Sequence, residues 1–287
     1  MTDHQELSNI PSQQQEWPGA VAPMRPAPDF GAASWTGRGR LPGVRALITG
    51  GDSGIGRAVA VAFAKEGADV VVAHLPEEAE DAAETKRLVE AEGRSCHLVP
   101  GDLREHAANE ALADAALEAL GGLDVLVCNA AYQMTHPSLE DFPADQVERT
   151  FRTNVFSPFW LVHRLAGELE DGGRIIFTTS VQAYSPSENL LDYAATKAAL
   201  NNLVVNFAQA LGPRGTRVNA VAPGPIWTPL IPATMPPEQI EGFGSDTPLG
   251  RAGAPVEVAA AYVFLASEEA SYVSGTVLGV TGGKPVF

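Results

Sequence analysis

From Val44 onward the chain alternates short β-branched runs with longer helical ones, and this rhythm limits the available folds more than any other feature. "VRALITG" leads into "GIGRAVAVAFAKEG", then come "ADVVVAHL" and a charged amphipathic stretch over 77–92. The same rhythm continues through "CHLVPGDL", a helix near 105–120, "LDVLVCNAA", a helix over 144–169 and "GRIIFTTS". A helix over 190–211, "TRVNAVAPG", a long loop, a helix near 255–266 and "GTVLGVTGG" complete it. Nearly all-apolar strands separated by helices require a parallel sheet covered on both faces. Right-handed crossovers then give an α/β, single-domain, doubly wound parallel sheet of about seven strands, with ligands at the carboxyl ends of the strands. Residues 43–287 carry this pattern, with no internal repeat and no second domain.

Residues 1–42 form an N-terminal extension of a different kind, rich in Pro, Gln and Gly and without a sustained period. Trp17, Met24, Phe30 and Trp35 are too apolar for a solvated linker, so the expectation is an extended segment packed on its own domain or on a neighbouring subunit. The net charge of −16 repels a phosphate backbone and argues against nucleic acid as a partner. The opening residues lack the basic flank and apolar run of a signal peptide, and no stretch is apolar for long enough to span a bilayer, which predicts a cytoplasmic protein without a membrane partner. Cys96 and Cys128 read as reduced core residues, and the six histidines show no metal spacing, so no metal is expected.

The turn "LITGGDSGIGRAVA" runs from the first strand directly into a helix. Gly50, Gly54 and Gly56 suit a tight turn, close approach of backbone to a pyrophosphate and close packing of helix on strand, and the helix N-terminus attracts the anion. Asp52, Ser53 and Ile55 lie within the same turn. At the end of the second strand, where an acid would bind a ribose hydroxyl, the chain has His74 followed by Glu77 and Glu78, either of which could fold back toward a ribose, so NAD and NADP both stay open. That gives an NAD(P)(H) site with a small lean to NADP.

"DYAATKAAL" places Tyr193 and Lys197 four residues apart on one helical face. A cation beside a phenol favours the phenolate and draws its pKa from about 10 toward neutrality, which makes the pair an acid/base device. Ser180 ends the strand "GRIIFTTS" thirteen residues earlier, where a ligand should lie. Tyr184 is the competing tyrosine, but Glu188 stands four residues after it and would raise its pKa.

With these motifs in family order, beside "CNAA", "TNVF" and "APGPIWTP", the chain resembles the short-chain dehydrogenase/reductase family over about residues 44–283. Its "TGGDSGIGRA" and Pro-rich leader are similar to a bacterial subgroup described as glucose/ribitol-dehydrogenase-like. The resemblance implies a Rossmann fold, Tyr193 as general acid/base, Lys197 lowering its pKa and holding the nicotinamide ribose, Ser180 holding the substrate oxygen, and Asn154 positioning a water beside the lysine. It implies cofactor contacts from Asp102 and Leu103 to the adenine, with a helix N-cap as the other reading of Asp102. Asn129 and Ala130 would stabilise the sheet beside the cofactor, Pro223 and Gly224 would turn under the nicotinamide, and Ile226 and Thr228 would meet its carboxamide. Ala131 stands where the family usually has glycine.

The loop over 225–250 reads as a lid carrying Trp227, Met235 and Phe243. The helix over 190–211 is apolar nearly all round, which together with the resemblance predicts a homotetramer. The expected activity is NAD(P)-dependent interconversion of a carbonyl and an alcohol on a small aldehyde, ketone, sugar or polyol. The alternatives are a cofactor-retaining epimerase or dehydratase, and a non-catalytic nucleotide-sensing protein.

Overall fold

Seven parallel strands form one sheet in the order β3-β2-β1-β4-β5-β6-β7 in the computed structural model, which describes residues 4–287. The strands are β1 (Arg45–Thr49), β2 (Asp69–His74), β3 (Cys96–Pro100), β4 (Leu123–Cys128), β5 (Leu169–Thr178), β6 (Arg217–Pro223) and β7 (Val277–Val280). The order reverses between β1 and β4, so their carboxyl ends open a crevice that no crossover covers.

Within each strand the side chains alternate between two cores although nearly all are apolar. Ala46, Ile48, Val70, Val72, Val125 and Val127 face α1 (Gly54–Glu66) and α9 (Pro255–Ala266). Leu47, Val71, Leu126, Cys128 and Phe177 face α3 (His106–Leu120), α5 (Ser157–Leu165) and α6 (Leu191–Leu211). α2 (Ala79–Glu90) covers the outer edge, and its residues Ala82 and Val89 are fully buried. Cys96 and Cys128 are free and buried, and burial raises both thiols, Cys96 to about 12.

The expected helix over 144–169 is broken into α4 (Ala144–Phe151), a π-helical turn over Arg152–Phe156, and α5. It stops at Leu165 because Gly167 weakens the helix and Leu169 is buried as the first residue of β5, paired with Leu123. The π turn holds Asn154. Asp102 is not a helix N-cap: Glu105 takes that position, and the Asp102 carboxylate instead accepts from the backbone N and the guanidinium of Arg104.

The N-terminal extension is wound over this domain. Leu7, Ile10 and Met24 bury themselves with Trp227, Ile231 and Ile240 in a third apolar cluster, and the Trp227 indole donates to the Pro26 carbonyl at 2.8 Å. Trp227 is therefore fully buried against the extension and does not lie over the cleft as a lid residue, whereas Met235 and Phe243 do reach it. The lid segment itself includes two short helices, α7 (Leu230–Thr234) and α8 (Pro237–Ile240). Farther along, Phe30 stacks on the Arg57 guanidinium at 4.8 Å. Trp35, Arg38 and Arg40 converge on Glu66 at the end of α1, with donor distances of 2.7 to 3.0 Å.

Candidate active site

The crevice between the ends of β1 and β4 widens into a cleft of about 630 Å³. The glycine turn forms one side. Gly50 and Gly54 both have positive φ, and a Cβ on Gly56 would stand 1.9 Å from the Gly50 carbonyl oxygen, so only glycine lets α1 begin this close to β1. Gly50, Asp52, Ser53, Gly54 and Ile55 line the cleft, while Gly56 sits behind them as a packing residue. The first turn of α1 thus presents unpaired backbone N–H groups to the cavity.

Asn129 ties three strand ends together. Its amide donates to the carbonyls of Thr49 at 3.2 Å and Gly50 at 3.0 Å, and its oxygen accepts from the Thr178 hydroxyl at 3.1 Å. The backbone N–H groups of Asn129 and Ala130 both donate to the Thr49 hydroxyl at 3.0 Å. Ala131 lines the cleft beside them.

The opposite side holds Ser180, Tyr193 and Lys197. β5 ends at Thr178, which leaves Ser180 two residues beyond it, and its hydroxyl hydrogen-bonds the Tyr193 phenol. Lys197 Nζ donates to the Thr178 carbonyl at 2.8 Å and lies 5.3 Å from the centroid of the Tyr193 ring. Burial dominates both groups: it pushes Tyr193 up to about 12, partly opposed by Ser180, and brings Lys197 down to about 7. The depressed phenol expected from the Tyr-Lys spacing is therefore absent, because withdrawal from water penalises phenolate and ammonium alike. Tyr184, outside the cleft lining, is raised by burial, with a hydrogen bond from Asn201 opposing it, and not by Glu188.

Asn154 stands behind this wall. Its oxygen accepts from Tyr132 N at 2.8 Å, and its amide donates to Tyr132 O at 2.9 Å and to the Thr196 hydroxyl at 3.0 Å. It thus locks the segment that follows β4 to the helix that carries Tyr193 and Lys197. At the roof, Pro223, Gly224, Ile226 and Thr228 line the cleft as β6 leaves the sheet. His74, Asp102 and Leu103 line its far end.

A family model described as Enoyl-(Acyl carrier protein) reductase matches residues 50–284. The uncharacterized oxidoreductase YhxD of Bacillus subtilis is 52% identical, covering 96% of this chain and 94% of its own. The chain belongs to the short-chain dehydrogenase/reductase family. It is similar to NADPH-dependent aldehyde reductase 1, chloroplastic, of Arabidopsis thaliana, at 42% identity over 98% of this chain and 99% of that one. A crystal structure of a short-chain dehydrogenase from Burkholderia cenocepacia in complex with NADP superposes with a TM-score of 0.80, at 36% identity over 85% of this chain and 99% of that one. This short-chain dehydrogenase/reductase is an oxidoreductase, and among its described residues no helix is long and apolar enough to cross a membrane. None of the described His, Cys, Asp and Glu residues cluster as a metal site.

Three features of this enzyme's cleft were not legible beforehand. Asp52 and Glu78 meet at the β2 end; burial and the Asp52 charge raise Glu78 to about 8 although its carboxylate accepts from Leu75 N at 2.9 Å. The Asp52 carboxyl is itself raised by burial. Arg149, on α4, and Trp17, on the extension, complete the wall. Only the aromatic content of the extension hinted at the last of these.

Proposed function

We propose that this enzyme transfers hydride between NAD(P)(H) and a small carbonyl or alcohol, with NADPH the favoured donor and an aldehyde, ketone, sugar or polyol as substrate. One observation carries the reading: Ser180, Tyr193 and Lys197 share one wall of a cleft whose other end is the glycine turn and the open N-terminus of α1. The donor set fits a dinucleotide, since free helix N–H groups suit a pyrophosphate and the cleft volume lies in the range of ligand sites.

The dinucleotide supplies the hydride when bound. Gly50, Asp52, Ser53, Gly54 and Ile55 would hold its phosphates and the adjoining ribose, with Gly56 supporting the turn. His74, Asp102 and Leu103 would hold the adenosine end. Asn129, Ala130, Pro223, Gly224, Ile226 and Thr228 would hold the nicotinamide end, where Lys197 reaches the ribose.

Tyr193 is protonated at neutral pH and so is set to donate its proton to a carbonyl oxygen, which suits the reducing direction. Ser180, already bonded to that phenol, holds the same substrate oxygen and stabilises its growing charge. Burial brings Lys197 down to about 7, so it can release and regain a proton near neutral pH and return one toward Tyr193. Asn154 acts as a positioning residue through Tyr132 and Thr196, and a water beside it would link the lysine to solvent.

The NADPH preference is supported by the named cofactors of the Arabidopsis and Burkholderia relatives. It also agrees with a Glu78 that is largely neutral at pH 7, since a dianionic carboxylate pair would repel a further phosphate. Phe156, Phe159, Leu191 and Val205 expose apolar surface along the π turn, α5 and α6, which supports a homotetramer built on that face. Two buried free cysteines suit a reducing cytoplasm.

The test is loss of reduced-nicotinamide absorbance with NADPH and NADH separately against aldehydes, ketones and sugars. Oxidation of NADPH by the native enzyme supports the reading. Dinucleotide binding without turnover on any carbonyl or alcohol would overturn it in favour of sensing.

A further inference from the structure

The Arg149 guanidinium lies in the corner formed by two aromatic rings, its Cζ 4.2 Å from the centroid of Trp17 and 4.1 Å from that of Tyr132. The rings meet edge to face at 5.7 Å. Trp17 comes from the N-terminal extension and Tyr132 from the turn after β4, and all three residues line the cleft. The extension is anchored on both sides of this point: Gln15 N donates to the Pro232 carbonyl at 2.8 Å, and Val21 N donates to the Asp81 carboxylate at 3.0 Å.

The ring planes stand 69° apart, so the guanidinium packs in the corner they form, and its N–H groups directed away from both rings stay available. Among the described residues none of those donors on Arg149 has a hydrogen-bond or ion-pair partner. Its neighbour Arg104 differs, being held bidentately by Asp102. In a protein of net charge −16, a cleft arginine without a bound carboxylate is set apart from that background.

We propose that Arg149 is an anion-binding residue of the cleft, taking a phosphate or carboxylate group of the bound molecule, and that the extension, through Trp17, holds it in place. The anion is a phosphate of the dinucleotide or an acidic group on the carbonyl substrate; a guanidinium fork recognises both in the same way. A free arginine would lose rotamer freedom on capturing the anion, and the aromatic clamp removes that loss before binding. This inference rests on the dinucleotide reading of the cleft.

The experiment uses the full chain and its variants Arg149→Met, Trp17→Ala, Trp17→Phe and Arg149→Met/Trp17→Ala. Dissociation constants for NADPH and NADH are read by fluorescence, KM values for a neutral and a carboxylated aldehyde by absorbance, and folding by Tm. Arg149→Met should weaken dinucleotide binding about tenfold or more, or raise KM by that factor for the carboxylated aldehyde alone; the first assigns the anion to the cofactor and the second to the substrate. Trp17→Ala should reproduce most of that loss with an unchanged Tm, Trp17→Phe should recover it, and the double variant should be no worse than Arg149→Met. Arg149→Met with native affinities and native KM values, or fully additive losses in the double variant, would overturn the proposal. A native enzyme that binds neither dinucleotide would overturn the function proposed above, and this inference with it.

Discussion

Lys197 Nζ donates to the Thr178 carbonyl oxygen at 2.8 Å, and this single contact fixes an ammonium inside the cleft wall next to the Tyr193 ring. A lysine that is 1% exposed and has one backbone acceptor is held at a cost in stability, because the charged form is poorly solvated.

Lys197→Met should therefore raise Tm by several degrees while abolishing turnover. The lysine falls from 10.5 when unfolded to about 7 when folded, so the unfolded chain binds the extra proton between those values. Native stability from this group rises as pH goes from 7 to 10.5. The gain in Tm from Lys197→Met should be largest at and below pH 7 and vanish toward pH 10, as scanning calorimetry over that range would show.

Glu66 controls acid stability through the extension. Burial alone would raise it, but Arg40, Arg38 and Trp35 outweigh that and hold it at about 2, against 4.5 when unfolded. Its contribution is complete above pH 4.5 and is lost as pH falls toward 2. Glu66→Gln should lose on the order of 3 kcal/mol at neutral pH, and urea melts should show its stability falling less steeply than native between pH 4.5 and 3.

Glu78 sets the pH dependence of dinucleotide binding. Raised to about 8 by burial and by Asp52, it gains a negative charge as pH passes from 7 to 9 inside a cleft that must accept a polyanion. NADPH affinity should fall over that interval, and that of NADH, with one phosphate fewer, should fall less. Glu78→Gln should remove the difference between the NADPH and NADH titrations and leave the shallower fall due to Lys197, which is brought down to about 7, as fluorescence binding at fixed ionic strength would reveal.

The alternation of apolar strands and amphipathic helices was enough to read the sheet and its crevice, because a strand buried on both faces admits few residue types. Gly50 and Gly54 were legible because a tight turn at positive φ calls for glycine, and Tyr193 and Lys197 because a helical period puts both side chains on one face. Asp102 was ambiguous because the same carboxylate can cap a helix or pair with Arg104, and the choice depends on where α3 starts. The break at Gly167 was overridden in a helical reading because Leu169 gains its burial only from β4. Trp227 was misplaced as a lid residue because its partners Leu7, Ile10 and Met24 lie some two hundred positions away. The Tyr193 pKa was misread because spacing reports proximity to a cation but says nothing of burial, which here outweighs it.

The most direct test of the central claim separates chemistry from binding in Tyr193→Phe. Fluorescence should show NADPH affinity within about threefold of native, since the phenyl ring keeps the wall's shape. Turnover of the best carbonyl substrate should fall by about 10²- to 10⁴-fold, the usual worth of a general acid. Turnover within tenfold of native, with affinity unchanged, would contradict Tyr193 as the proton donor and the reading of this cleft built upon it.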